Sequence, residues 1–340
     1  ARYVRTNRAD RARTGNQIPA ELLRWADIAM YEAKQLGCAT CEFDADLERS
    51  SVQDLILAGD LDRAISAGEI SVRFQPQVDL LTGELVGAEA LSRWHHPTFG
   101  LLAAERFIRL LQVSDQFPAF TRAVLEQSAR AQAEFRRAGL QVDVAVNVAA
   151  RSLLDRTLSM QLAEVCLEHH LPPNTLTVEI TEDDLMGATD IAVETLSRLR
   201  AIGFRVTIDD FGTGHSSFAR LVELDVDEIK LDRRFLSEST TSARAREVIA
   251  SVIAMSRRLG QRVIAEGIER PEQAELLRKL GCRVGQGYLY GMALSVEEFI
   301  ERARTPSPAW LGRGGISGAL PPASGAGADG STSESTADAV

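Results

Sequence analysis

The sequence predicts an α/β fold: a (β/α)8 TIM-like barrel with one antiparallel strand at its start. Three observations carry this reading. About eight strand-like runs alternate with helical runs over residues 71–304, the pattern of a barrel of βα units. Seven of those runs bring a polar or charged residue near the carboxyl end, where a barrel gathers its site. The first two runs are joined only by the turn Leu81-Thr-Gly-Glu84, so they pair as a hairpin and break the all-parallel rule. A doubly wound open sheet is the alternative, but no glycine-rich dinucleotide fingerprint follows the first strand.

In chain order, residues 1–17 are polar and Arg-rich without periodicity. Pro19 suits a first helical turn. Leu22, Ala26, Ala29, Met30 and Ala33 then recur at helical spacing, Gly37 supplies a C-cap, and residues 41–43 are strand-like. This helix and strand lack a core of their own, and the sequence opens at Ala1, which reads as a fragment. Residues 44–68 form a helical connector with Leu47, Val52, Leu55, Leu61, Ala64 and Ile65 as its apolar positions, ended by Gly68. The strands fall at 72–78, 85–91, 142–148, 176–180, 206–208, 228–231, 262–265 and 283–288. Helices fall at 117–138, 153–169, 188–202, 243–259, 271–280 and 296–303. Residues 305–340 are rich in Pro, Gly, Ser, Ala and Thr and cannot bury a core, so they read as a disordered tail.

The bulk properties exclude some functions. A net charge of −10 argues against DNA, RNA or a membrane surface as partner. A small anionic ligand stays open, because a bound divalent ion inverts the local field. No apolar run reaches the ~20 residues of a membrane span, and a reduced cytoplasmic setting is expected. An upstream anchor lies outside what this sequence can address. Four cysteines are too few for a disulfide framework. Cys38 and Cys41 have metal or redox spacing without a second pair, so the simpler reading is two free thiols.

The stretch Arg205-Val-Thr-Ile-Asp-Asp-Phe-Gly-Thr-Gly-His215 centres the site. A buried strand breaks at Asp209 and Asp210 into a glycine-rich loop. Adjacent acids there mean either a solvated loop start or a cation between them. Read along the other strand ends, the sequence gives Glu89, Asn147, Glu179, Lys230, Glu266 and Gln286. Any one is commonplace, whereas the joint pattern is hard to obtain by chance. Glu89, Asn147, Glu179 and Asp209 offer hard oxygens suited to Mg²⁺ or Mn²⁺, and Asp210 extends the set toward a second ion. Two metals about 4 Å apart suit phosphoryl displacement. Lys230 either positions water and steadies charge or neutralises the acids as a buried ion pair. Glu266 is a second-metal ligand or general base, with Glu269 orienting the Asp210 loop. His95 and His96 read as loop packing beside Pro97.

Glu89-Ala-Leu91 with Arg93-Trp94 and His96-Pro97 resembles the motif of EAL-domain cyclic di-GMP phosphodiesterases. So, in order, do Phe74-Gln-Pro-Gln77, Asn147-Val148, Glu179-Ile-Thr-Glu182, Asp209-Asp-Phe-Gly-Thr-Gly214, Ile229-Lys-Leu-Asp232, Ala265-Glu-Gly-Ile-Glu269 and Gln286-Gly-Tyr-Leu289. The resemblance covers residues 53–304. Leu22 to Gly37 is similar to the last helix of a GGDEF (diguanylate cyclase) domain, without that family's naming motif. The expected organisation is therefore a GGDEF remnant at 1–43, a connector and domain start at 44–70, an EAL barrel at 71–304 and a tail at 305–340.

The resemblance implies metal-dependent hydrolysis of cyclic di-GMP to linear pGpG. It implies Glu89, Asn147, Glu179 and Asp209 as first-metal ligands, with Asp209 and Asp210 serving a second Mg²⁺ or Mn²⁺. Lys230, Glu266 and Gln286 would handle the nucleophilic water. Arg93 would grip a substrate phosphate, with Gln75 also binding substrate. Glu182 and Glu269 would support the loop from Asp210 to Ser217, which in the family links metal binding to a homodimer through the barrel. Upstream GGDEF and sensor domains are the implied partners. The rival expectation is an inactive EAL-type receptor for cyclic di-GMP. Ser92, His215 and Gly291-Met-Ala-Leu294 depart from the family pattern without removing a ligand.

Overall fold

The structure, a computed structural model, describes residues 26, 30, 45–212, 226–237, 239 and 242–304. The expected GGDEF remnant (beyond positions 26 and 30), the loop from 213 to 225 and the tail at 305–340 lie outside the described residues.

The described residues form nine strands: β1 Ile70–Asp79, β2 Leu85–His96, β3 Gly100–Ala103, β4 Asp143–Asn147, β5 Leu176–Thr181, β6 Arg205–Phe211, β7 Glu228–Leu231, β8 Arg262–Ala265 and β9 Val284–Gln286. Eight close into a barrel in the order β1-β9-β8-β7-β6-β5-β4-β2, with β1 joined back to β2. From β2 through β4 to β9 the neighbours are parallel, whereas β1 runs antiparallel to both β2 and β9. The expected antiparallel start is thus present, and the hairpin turn is organised by Asp79. Its Oδ1 accepts from the backbone N–H of Leu81 at 2.8 Å and Thr82 at 3.0 Å, and its Oδ2 from Arg283 Nε at 2.7 Å.

The ninth strand was not expected, and it changes the reading of two residues. β2 pairs with β4 only over Gly87–Ala90, then runs on to pair with β3. His95 and His96 therefore lie on a strand, not in a loop. His96 is buried: its Nδ1 accepts from the backbone N–H of Thr98 and Phe99, and its Nε2 meets Asp60 at 3.0 Å. This ties the strand arm to helix Ala45–Ser66. Leu57, Leu61 and Ala64 of that helix are buried in the barrel's main core, while Val52 and Leu55 are exposed. The second half of the connector thus packs onto the barrel's core.

The outer layer follows from period. In Phe117–Arg137, Phe117, Phe120, Val124, Leu125, Ser128 and Phe135 are buried, a broad apolar face of the 3.6-residue repeat. Burying each large aliphatic or aromatic side chain contributes about 1.5–3 kcal/mol. In the barrel strands, residues alternate between the helix-facing core and the barrel axis. Val178 and Ile180 flank Glu179, and Ile229 and Leu231 flank Lys230; all four flanking residues are fully buried. The strands are held from outside so that polar groups can stand inside.

Candidate active site

The parallel register carries one polar side chain after another toward the same mouth. Asn147, the last residue of β4, is level with Glu179 of β5, and Thr181 of β5 is level with Asp209 of β6. Lys230 is the third residue of β7, Glu266 follows β8 directly, and Gln286 ends β9. Glu89 is an exception in position only. It lies mid-strand in β2, but near the end of the part that pairs within the barrel. Across the hairpin it faces Gln75 of β1.

Lys230 is the centre. Its Nζ stands 3.2 Å from Glu89, 3.1 Å from Glu179, 3.2 Å from Asp209 and 2.8 Å from Glu266, and no part of its side chain is exposed. Glu89 also accepts from Asn147 Nδ2 at 2.9 Å and from Gln286 Nε2. Gln286 is itself held by Gln75 at 3.1 Å and by Gln77, whose Nε2 donates to it at 3.0 Å. An ammonium has three N–H donors, so Lys230 cannot satisfy four carboxylates at once. Glu179 Oε1 is buried without a hydrogen-bond partner, a costly state for a carboxylate oxygen.

Electrostatics report the same imbalance. Burial disfavours charge on Lys230, but Asp209, Glu179, Glu266 and Glu89 more than reverse this and raise it well above its ordinary value. Burial and its acidic neighbours push Glu179 well above the usual carboxylate range despite Lys230. Burial likewise drives Glu266 to about 8. Glu89 goes the other way. Burial opposes its charge, but Lys230 and the Gln286 and Asn147 amides outweigh that and hold it low.

β6 does not stop at Ile208, as the sequence suggested, but runs through Asp209 and Asp210 to Phe211. Its register against β7 shifts between Ile208 and Phe211, a bulge of the kind that re-aims side chains near active sites. Asp210 sits there at φ 55°, an uncommon left-handed conformation for a residue with a side chain, though one Asp tolerates. Its backbone N–H is taken by Asp209 Oδ1 at 2.8 Å. Partial desolvation raises Asp210 to about 6, and repulsion from Asp209 and Asp232 adds to it. Glu182 Oε2 accepts from the N–H of Gly212 at 2.6 Å, tying the start of the following loop to the end of β5. A Cβ at Gly212, whose φ is 92°, would overlap the Phe235 ring, so only glycine fits.

Oxygens of Glu89, Glu179 and Asp209 lie within 4.8 Å of one another, and so do those of Asp209, Asp210 and Glu266. The two groups share Asp209. All-oxygen ligands, excess negative charge and an orphaned buried carboxylate oxygen together fit hard divalent cations. No histidine or cysteine belongs to either group. Cys166 and Cys282 are buried elsewhere as free thiols, raised by burial to about 11 and about 12. Cys38 and Cys41 lie outside the described residues.

Two cavities open from the cluster. One of about 310 Å³ is bordered by Gln75, Arg93, Glu266, Glu269 and Tyr288. Arg93 is half-buried, and among the described residues its side chain donates only to its neighbour's carbonyl, Ser92 O, at 2.8 Å. Glu269 faces this cavity, while its backbone N–H is held by Gln273 Oε1 at 3.0 Å. The other, about 380 Å³, runs toward Phe117, Phe120 and Val124. Two residues at these cavities were given no role from sequence. Asp232, which lines the first, is one residue past β7, where the strand-end rule could have found it. Glu105 borders both cavities from helix Ala104–Gln112, and a helical acid gives no such signal.

The sequence profile of the EAL domain matches residues 58–293. The cyclic di-GMP phosphodiesterase RocR of Pseudomonas aeruginosa is 35% identical over 257 residues, covering 75% of this chain and 66% of the relative. The bifunctional diguanylate cyclase/cyclic di-GMP phosphodiesterase MucR of the same organism is 32% identical over 286 residues, covering 84% and 42%. The chain thus spans under two thirds of these relatives. Among solved structures, a PaMucR phosphodiesterase in complex with c-di-GMP superposes with a TM-score of 0.68 at 32% identity, covering 72% of this chain and 99% of that one. On the profile match and these relatives, the chain belongs to the EAL domain family.

Proposed function

We propose that this protein is a divalent-metal-dependent phosphodiesterase that hydrolyses cyclic di-GMP to linear pGpG. The observation that carries the reading is the cluster of four carboxylates around one ammonium with Asp210 beside them, arranged as two groups that share Asp209. The relatives' names and the c-di-GMP complex supply the substrate. Glu89, Asn147, Glu179 and Asp209 would hold one Mg²⁺ or Mn²⁺, and Asp209, Asp210 and Glu266 a second. Bound there, the cations would supply Lewis-acid charge to the scissile phosphate and lower the pKa of water.

The chain's own residues do the rest. Lys230 keeps the carboxylates together and places positive charge beside the attacked phosphate. Glu266, at the mouth, takes a proton from the attacking water. Gln286 and Asn147 fix the Glu89 carboxylate, and Arg93 with Gln75 binds the substrate in the polar cavity. Water adds its oxygen to phosphorus, the bond to the ribose 3′-oxygen breaks, and that oxygen takes up a proton from solvent as Glu266 releases the one it accepted. The products are a 5′-phosphate and a 3′-hydroxyl. Glu182 and Glu269 support the loop after Asp210, the route by which a homodimer would influence the second cation. Upstream domains such as a GGDEF unit fit the greater length of the relatives. Among the described residues no helix is long and apolar enough to cross a membrane, and a cytoplasmic site of action fits the substrate.

Nucleotide product analysis tests the reading. The protein with Mg²⁺ or Mn²⁺ releases pGpG, and with a chelator it does not. Cyclic di-GMP left intact under both conditions would sink the hydrolase.

A further inference from the structure

Five residues border both cavities: Glu89, Leu91, Asp209, Asp210 and Glu105. Three of them are acids of the cluster and Leu91 is apolar, which leaves Glu105. It is a carboxylate outside both metal-ligand groups, and among the described residues it has no ion pair or side-chain hydrogen bond. It sits where the two cavities meet. An acid there opposes a phosphate, so its chemistry demands a donor. A carboxylate accepts two hydrogen bonds side by side, the complement of the guanine N1–H and N2–H₂ edge.

The surroundings suit a purine. Helix Ala104–Gln112 turns Glu105, Ile108 and Gln112, at i, i+3 and i+7, toward the second cavity, opposite Phe117, Phe120 and Val124. Apolar walls pack the faces of a base while one polar group fixes its edge. The helix is a rigid platform. Phe107 and Leu111 are buried beneath it, and Arg106 pairs with Asp54 at 2.7 Å and donates to Gln53 at 3.1 Å. We propose that Glu105 is the residue that selects guanine, accepting the N1–H and N2–H₂ of one base of the substrate. This rests on the cyclic dinucleotide reading above and deepens it.

Calorimetric binding with Ca²⁺ tests this, using cyclic di-GMP and cyclic di-IMP, which lacks the N2 amine. Hydrogen bonds to a charged group are worth enough for about a tenfold or larger preference. The wild type is expected to prefer cyclic di-GMP by at least about tenfold. Glu105→Ala weakens cyclic di-GMP by a similar factor and brings the two ligands within about twofold. Glu105→Gln, with one acceptor lost, falls between. Melting curves monitored by circular dichroism establish that both variants are folded. A Glu105→Ala protein that keeps the wild-type preference overturns the assignment, as does a wild type that binds neither ligand. Wild-type turnover, measured separately with Mn²⁺, judges the hydrolase. Lost discrimination without turnover removes the hydrolase and leaves Glu105, and turnover with unchanged discrimination does the reverse.

Discussion

At the amino ends of the barrel strands, each carboxylate has its own arginine. Glu228 of β7 meets Arg262 of β8, Asp143 of β4 meets Arg205 of β6, and Asp227 meets Arg200 at 3.5 Å. At the carboxyl ends, four carboxylates crowd one lysine and Asp210 stands beside them. Glu228 and Lys230 lie two residues apart on the same strand, so both face the axis. One balanced pair and one unbalanced cluster thus share a strand. Pairing one to one satisfies a fold. A formal excess of four negative charges does not, and it is the feature that the proposed cations would complete. Charge balance, more than charge itself, separates the end that holds the barrel together from the end that gathers the proposed active site.

The largest effect should come from the mouth. Glu266→Gln keeps the shape and removes the proposed proton acceptor. Turnover of cyclic di-GMP is expected to fall on the order of 10²- to 10⁴-fold, read as pGpG released per enzyme at saturating Mn²⁺. Retention of more than a tenth of wild-type turnover would take Glu266 out of the chemistry.

Much of that mouth was readable before any coordinates. Asn147, Glu179, Asp209, Lys230, Glu266 and Gln286 each stand near a strand end, and Glu89 near the end of the part of β2 that pairs within the barrel, positions set by the alternation of apolar and polar residues. What stayed hidden depends on tertiary context. The bulge at Asp209 and Asp210 comes from β6 shifting register against β7, and two acids in a row look like a strand's end. His95-His96-Pro97 looks like a loop because proline and charge end a propensity pattern, yet pairing with β3 extends the strand through both histidines. Glu105 lies on an exposed helical face, and whether such a face meets solvent or a cavity depends on the next helix.

A second comparison is sharper in energy than in rate. Lys230→Met strips four carboxylates of the cation they share, and breaking a buried pair costs about 3–5 kcal/mol. Urea denaturation in chelator should show a loss of that size. Mn²⁺ should restore part of it, since a ligand at about 100 times its Kd adds about 2.7 kcal/mol. Glu228→Gln leaves Arg262, whose side chain is 36% exposed, free to reach water. Its loss should be about 1 kcal/mol and the same with or without Mn²⁺. Equal losses that both ignore Mn²⁺ would erase the distinction between the two ends.

The smallest effect belongs to the balanced side and depends on pH. Burial raises the Asp79 carboxyl, but Arg283 and the N–H groups of Thr82 and Leu81 outweigh it and hold the pKa below 3.8. The folded value lies under the unfolded one, so the unfolded chain takes up the proton first as pH falls. The stabilisation is complete above about 3.8 and is lost as pH drops through the folded value. Arg283 is 71% exposed, and solvent screening keeps its share of the effect small. Asp79→Asn should therefore lower stability by under about 1.5 kcal/mol at pH 7, with the gap closing below pH 3.8. Urea midpoints compared at pH 7 and pH 3 read this directly. A gap that stays constant with pH would assign the role of Asp79 to its hydrogen-bonding shape alone. The hairpin turn that makes β1 antiparallel would then need no charge.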